Sequence, residues 1–160
     1  MLFGDDGFGP AVAEQIIRRG GFSDDVAVLD AGTGVREILF DIVLSETRPE
    51  KIIVVDGLSV AGRSPGEVFM ISIDDLPENK RDDFSLHQMP TSNLLKELIS
   101  MCGVKVVVVA AQVEGIPPEV APGLSGMLAG AVPRACGMVM GELAESESSV
   151  RADAGGAGHA

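Results

Sequence analysis

The chain has 160 residues, of which 46% are hydrophobic and 4% aromatic, and this predicts one domain with a core of aliphatic side chains. Its 24 acidic and 12 basic residues give a net charge of −12, and such a surface repels phosphate backbones, which argues against nucleic-acid binding. No apolar run reaches the roughly 20 residues of a membrane span and no signal-peptide pattern precedes the first turn, so we expect a cytoplasmic protein.

The segment GDDGFGP, residues 4–10, has the composition of a turn between a strand and a helix. Pro10 suits the first turn of a helix, because the N–H that proline lacks has no helical partner there. Apolar residues on one face predict that the helix covers residues 10–19. Asp5 and Asp6 come just before it, where the helix dipole favours negative charge.

Strands and helices are predicted to alternate through the rest of the chain. Short apolar runs predict strands at VAVLD (26–30), KIIVVDGL (51–58), GEVFMISI (66–73, half-exposed or at an edge) and KVVVVAAQV (105–113). Helical periodicity predicts helices at residues 34–46, 91–102 and 125–143, the last kinked or split by Pro133. The predicted fold is therefore α/β, a three-layer αβα sandwich with a mostly parallel twisted sheet. We assign this domain to residues 1–143 and predict that residues 144–160, rich in Ser, Gly, Ala and charge, form a disordered tail.

Acidic side chains end two of the predicted strands, at the edge where ligand sites form in open α/β sheets. Asp56 ends the run IIVV, and Asp30 ends VAVL directly before the glycine-rich segment AGTG. Together with Asp6 and His87, a histidine in a polar loop, Asp56 completes a set of two carboxylates and one imidazole. Such donors suit divalent nickel, iron, manganese or zinc. A helix-start acid, a turn cap and a surface histidine explain the same residues, and their spacing alone leaves both explanations open.

Other catalytic chemistries have weaker signatures. GLSGM, residues 123–127, lacks the last glycine of the serine hydrolase motif and is better explained as a turn before a helix. GDDGFG matches neither of the common phosphate-binding glycine loops. Cys102 and Cys136 belong to no metal-binding or redox spacing, and we expect both to be buried free thiols.

Five segments, in chain order, resemble the hydrogenase maturation endopeptidases, small proteins that trim the C-terminus of the NiFe-hydrogenase large subunit. They are LFGDDGFGPAV, LDAGTGV, IIVVDGL, SLHQMP and EGIPPEVAPGLS. The segment HQMPTSNLLKEL is similar to the branch that serves the coenzyme F420-reducing hydrogenases of methanogens. The resemblance spans residues 1 to about 143, and the ordered combination is much more specific than any single segment.

The resemblance implies an endopeptidase that acts on a large-subunit precursor after nickel insertion and uses no organic cofactor. It implies a metal-binding and catalytic set made of Asp6, Asp56 and His87. It also implies substrate contact by Asp30, Gly32, Thr33 and Gly34. The metal is expected to be the nickel that the precursor carries, and the precursor is the expected partner.

Two alternatives to this function remain at the level of the sequence. One is a non-catalytic module of the same fold that binds a metal or the large subunit, and the other is an unrelated α/β hydrolase. The family also begins with a strand before the first turn, whereas here only Met1, Leu2 and Phe3 precede it. Our hypothesis is that Met1 is a misassigned start and that the missing first strand lies upstream.

Overall fold

Helices and strands alternate in the computed structural model, which describes residues 4–75, 92–114 and 123–155. The helices are α1 (Phe8–Arg19), α2 (Val35–Leu44), α3 (Ser92–Ser100) and α4 (Gly126–Gly155). The strands are β1 (Lys51–Leu58), β2 (Val68–Ile71) and β3 (Lys105–Gln112). Short 3-10 turns at Gly4–Gly7 and Gly32–Gly34 lead into α1 and α2, and a third, Ile73–Asp75, follows β2.

The described strands form one sheet in the order β1-β3-β2. β1 and β3 are parallel, with Lys51 opposite Lys105 and Leu58 opposite Gln112. β2 is antiparallel to β3 and forms an edge, as predicted for this segment, so the open sheet combines a parallel pair with one antiparallel edge strand. A parallel return needs a crossover, usually a helix, and residues 59–67 between β1 and β2 contain none.

β3 separates two apolar cores, because its residues alternate between the two faces of the sheet. Val109 and Ala111 belong to the core that α1 and α4 form on one face. Val108 and Ala110 belong to the core that α2 and α3 form on the other face. All four side chains are fully buried. This arrangement confirms the predicted three layers.

Residues 26–30, the VAVLD run, are not in a strand, which corrects the prediction. Val28 packs at the margin of the core of α1 and α4, whereas Leu29 is 63% exposed. A strand needs hydrogen bonds to a neighbouring strand, and in the described part of the chain no strand pairs with this segment. Apolar composition alone therefore did not produce a strand here, and the first described strand begins at Lys51.

Helix α4 is longer than the pattern predicted. Pro133 lies inside it, and the helix continues on both sides of this residue. The helix runs to Gly155, so residues 144–155 differ from the predicted disordered tail; Ser146 Oγ donates to the carbonyl oxygen of Glu142 at 3.0 Å. Alanine, glutamate and arginine in this stretch are good helix formers, which explains how the helix extends beyond the core. No described helix, α4 included, is long and apolar enough to cross a membrane.

Both cysteines are free thiols, as the sequence predicted. Cys136 is buried between α4 and the first helix, and burial raises the pKa of its thiol above the ordinary value. Cys102 is only half-buried, so the prediction of an interior position is confirmed for Cys136 alone.

A nearly buried ion pair joins the start of β1 to α4. Lys51 Nζ donates to Glu142 Oε2 at 2.7 Å and to the Glu142 carbonyl oxygen at 2.8 Å, and the two side chains are 9% and 13% exposed. We expect Glu142→Ala to lower the free energy of unfolding by about 2–4 kcal/mol, because it leaves a poorly solvated ammonium without its partner. Urea denaturation measures the change.

The chain offers a matched control for this substitution. Glu14 pairs with Arg18 on the exposed surface of α1, so Glu14→Ala should cost less than about 0.5 kcal/mol. Replacing both partners together, Lys51→Met with Glu142→Leu, should recover most of the loss. Equal losses in Glu142→Ala and Glu14→Ala would show that the inner pair is as well solvated as the outer one.

Candidate functional site

The turn Gly4–Gly7 lies directly against the carboxyl end of β1. A Cβ atom on Gly57 would lie 3.4 Å from the carbonyl oxygen of Asp5, and a Cβ atom on Gly9 would lie 2.6 Å from the carbonyl oxygen of Val55. Glycine at these two positions lets the beginning of α1 and the end of β1 approach at backbone distance. The turn is therefore held at the edge where ligands bind in open α/β sheets.

Asp6 in this turn and Asp56 in β1 are consequently brought to the same end of the sheet. Both are half-buried, and the backbone N–H of Gly57 donates to Asp56 Oδ1 at 2.8 Å. β1 continues to Leu58, so Asp56 comes two residues before the strand ends. Two carboxylates at one sheet edge provide hard oxygen donors for a divalent cation.

The third predicted ligand, His87, lies outside the described residues. Within residues 4–75, 92–114 and 123–155, no three His, Cys, Asp or Glu side chains come together as a metal site. The roles assigned to Asp6, Asp56 and His87 therefore stay predictions.

The segment predicted to contact substrate forms a turn before α2, in which Asp30 and Gly32 are exposed. The backbone N–H of Gly32 donates to Asp30 Oδ1 at 3.1 Å, as in turns that begin with aspartate. Gly32 has a φ of 46°, a left-handed conformation that favours glycine. Thr33 lies within this 3-10 turn and Gly34 ends it.

An open groove with a volume of about 720 Å³ joins Asp30 to the first turn. The side of α1 that lines it includes Ile17, an apolar side chain that is 56% exposed. The glycines that line it are Gly4, Gly7 and Gly123. Asp6 and Asp56 are not part of its lining, so the groove runs beside the two acids.

Gln112 is the one polar residue that is fully buried in the described part of the chain, and the sequence analysis missed it. Its Oε1 accepts the N–H of Val60 at 2.9 Å, and its Nε2 donates to the carbonyl oxygen of Val113 at 3.2 Å. Its backbone oxygen accepts the N–H of Gly66 at 2.8 Å. Gln112 therefore ties both ends of the loop at residues 59–67 to the end of β3. The sequence signal that could have identified Gln112 is its position as a polar residue directly after the apolar run VVVVAA.

The positively charged side chain of Arg63, in the same loop, lies close to the sheet. The Arg63 guanidinium lies 3.7 Å from the centroid of the Phe69 ring, and its Nη1 is 2.6 Å from Glu67 Oε1. A hydrogen bond from the backbone N–H of Ser64, together with Arg63, holds the pKa of Glu67 below its ordinary value. These contacts, like those of Gln112, keep the loop folded back on the sheet.

We expect Gln112→Met to destabilise the protein by about 1–2 kcal/mol, because the partly buried N–H of Val60 loses its acceptor. Urea denaturation measures the stability, and limited trypsin digestion at Arg63 reports on release of the loop. Gln15→Met on α1, a half-buried position, is the control and should leave both measurements close to wild type. Unchanged digestion at Arg63 in Gln112→Met would contradict the role of Gln112 in holding the loop.

Comparison with protein families matches residues 10–142 to the hydrogenase maturation protease model. A Methanocaldococcus jannaschii protein provisionally named as a hydrogenase maturation protease is 37% identical over 144 residues, covering 89% of this chain and 90% of the relative. The coenzyme F420 hydrogenase subunit delta of Methanothermobacter thermautotrophicus is 32% identical over 151 residues, covering 92% and 91%.

Comparison with solved structures gives the same fold. The hydrogenase maturating endopeptidase HybD of E. coli superposes with a TM-score of 0.71 over 91% of this chain and 87% of that chain. The two sequences are 24% identical, so this likeness establishes the α/β architecture and the mixed open sheet.

Proposed function

The chain belongs to the hydrogenase maturation protease family and is a peptidase, and we propose that it removes the C-terminal extension of a NiFe-hydrogenase large-subunit precursor after nickel insertion. The family match over residues 10–142 is the observation that carries this proposal. The position of Asp6 and Asp56 at one end of the sheet supports it, since the first turn and β1 converge there. We expect the reaction to take place in the cytoplasm.

We propose that Asp6, Asp56 and His87 recognise the nickel that the precursor brings as part of the substrate. Carboxylate oxygens and an imidazole nitrogen are a donor set that suits this ion. Peptide hydrolysis adds one water across the scissile bond, and a carboxylate at this edge can accept the proton that the water loses. The Ser125 hydroxyl accepts the N–H of Leu128 as a helix cap, and Cys136 is buried, so we assign neither as the nucleophile.

We propose further that the groove beside the two acids holds the C-terminal segment of the precursor. Its glycines carry no side chain, so a peptide backbone can approach closely, and its apolar side accommodates aliphatic side chains. Asp30 lines the groove and offers a negative charge to a basic residue near the cleavage site. Gly32, Thr33 and Gly34, in the turn after Asp30, complete the proposed substrate-binding loop.

A second candidate function is stable binding of the large subunit without cleavage. The name of the Methanothermobacter relative favours it, since that protein is described as a hydrogenase subunit rather than as a protease. Both candidates use the same groove and the same acidic edge. They differ in whether a peptide is released.

The deciding experiment follows the mass of a purified large-subunit precursor incubated with the chain, with and without nickel loaded into the precursor. The proposed function predicts loss of a short C-terminal peptide from the nickel-loaded precursor only. Co-elution of the two proteins on size exclusion without any mass change would favour the binding module. If the precursor is not cleaved and the two proteins do not co-elute, both candidates are contradicted.

A further inference from the structure

The carboxylate of Asp5, the neighbour of Asp6, makes a contact with a residue that is far away in the sequence. Asp5 Oδ1 accepts the backbone N–H of Ser125 at 2.9 Å, across 120 residues of chain. Both groups are partly buried. A hydrogen bond to an ionised acceptor in such a place is among the stronger ones in proteins.

Ser125 is the residue that starts helix α4. Its hydroxyl accepts the N–H of Leu128 at 3.3 Å, and its carbonyl oxygen accepts the N–H of Ala129 at 2.8 Å. The first interaction is that of a helix N-cap, so the segment GLSGM is the turn before a helix that the sequence predicted. The Ser125 N–H is not used by the helix, and the Asp5 carboxylate satisfies it while its charge complements the helix dipole.

The first turn is thereby fixed from two sides. On one side the carbonyl oxygen of Asp5 lies against Gly57, at the end of β1. On the other side its carboxylate holds the first residue of the α4 cap. Asp6 follows directly in the same 3-10 turn, so its backbone position depends on both contacts.

We propose that Asp5 is the positioning residue for Asp6: by binding the Ser125 N–H, its carboxylate holds Asp6 at the end of β1 that carries Asp56. Asp5 itself does not touch the substrate. This inference rests on the proposed function for its effect on turnover, and on the contacts above for its effect on the turn.

The test compares Asp5→Asn, Asp5→Ala and Ser125→Ala in the full chain. Asparagine keeps an oxygen acceptor for the Ser125 N–H, whereas alanine removes it. We expect Asp5→Ala to lower kcat for the nickel-loaded precursor by about 10- to 100-fold, because small displacements of a catalytic group cost that much. KM should change less than kcat, because α1 and Asp30 line most of the groove and lie outside the turn. Asp5→Asn should restore kcat to within about fivefold of wild type.

Ser125→Ala removes the hydroxyl cap of α4 but keeps the N–H that binds Asp5. It should lower the urea midpoint of unfolding while leaving kcat within about threefold of wild type, and so separates general destabilisation from positioning. Amide hydrogen exchange of the peptide that covers residues 4–9 gives a readout without substrate. Exchange should rise about tenfold or more in Asp5→Ala and stay close to wild type in Asp5→Asn and Ser125→Ala.

Equal loss of kcat in Asp5→Asn and Asp5→Ala, with protected amides in Asp5→Asn, would overturn the proposal by showing that the Asp5 charge acts on the substrate. Unchanged exchange and unchanged kcat in Asp5→Ala would also overturn it. If the wild-type chain cleaves no precursor, the proposed function fails, and the exchange measurements still decide whether Asp5 holds the turn.

Discussion

Asp56→Asn is expected to slow precursor processing by at least about 100-fold, because it removes a charge from the proposed metal site while it preserves the local structure. Asparagine still offers an oxygen to the Gly57 N–H, which now donates to Asp56 Oδ1 at 2.8 Å. The backbone of β1 should therefore stay in place. The rate of mass loss from the nickel-loaded precursor measures the effect.

Asp6→Asn and His87→Ala should give losses of the same order, since the proposal assigns all three residues to one site. Asp41→Asn is the matched control: it makes the same chemical change on an exposed position of α2, outside the proposed site. Processing by Asp56→Asn at the wild-type rate would contradict the assignment of Asp56. Wild-type stability in urea must accompany any loss that is attributed to chemistry.

Gly9→Ala is expected to lower the free energy of unfolding by about 3 kcal/mol, because the new Cβ would stand 2.6 Å from the carbonyl oxygen of Val55. Either α1 or β1 must move to relieve this contact, and the turn with Asp6 moves with α1. Processing should therefore fall together with stability. Urea denaturation and the precursor assay measure the two effects.

Gly130→Ala is the control, and we expect it to raise the stability of the protein rather than lower it. Gly130 lies in α4 and a Cβ atom there would meet nothing within 4 Å, so the better helix propensity of alanine should raise stability by up to about 1 kcal/mol. Gly9 is also helical, so propensity alone predicts a gain at both positions. Equal gains would show that α1 does not start against β1.

Much of the fold follows from local patterns in the sequence. The periodicity of α1 and the continuous apolar runs of β1 and β3 predicted three elements close to their observed bounds. Alternation of helices and strands predicted the three layers, since each amphipathic helix must cover a face of the sheet. A periodic or continuous run of apolar residues indicates which side chains are buried, and the burial of side chains is what formed these helices and strands.

One strand prediction failed because a strand needs a partner. The run VAVLD has the composition of a strand, but strand formation requires a neighbour that supplies hydrogen bonds, and its Leu29 is largely exposed. The direction of β2 likewise depends on the loop before it and on β3, to which it is antiparallel. Composition carries no information on either relation.

The candidate site also has residues that the sequence predicted and contacts that only the structure shows. The rule that ligands bind at the carboxyl ends of strands was enough to select Asp56 and, with the first turn, Asp6. No local signal selects Asp5 as the partner of Ser125, 120 residues away, or Gly9 as the point where a helix touches Val55. The sequence by itself determined most of the elements and the acidic candidates, because these depend on periodicity and residue type. Only the tertiary structure decided which of them meet, because hydrogen bonds and backbone contacts between distant segments exist only once the chain has folded.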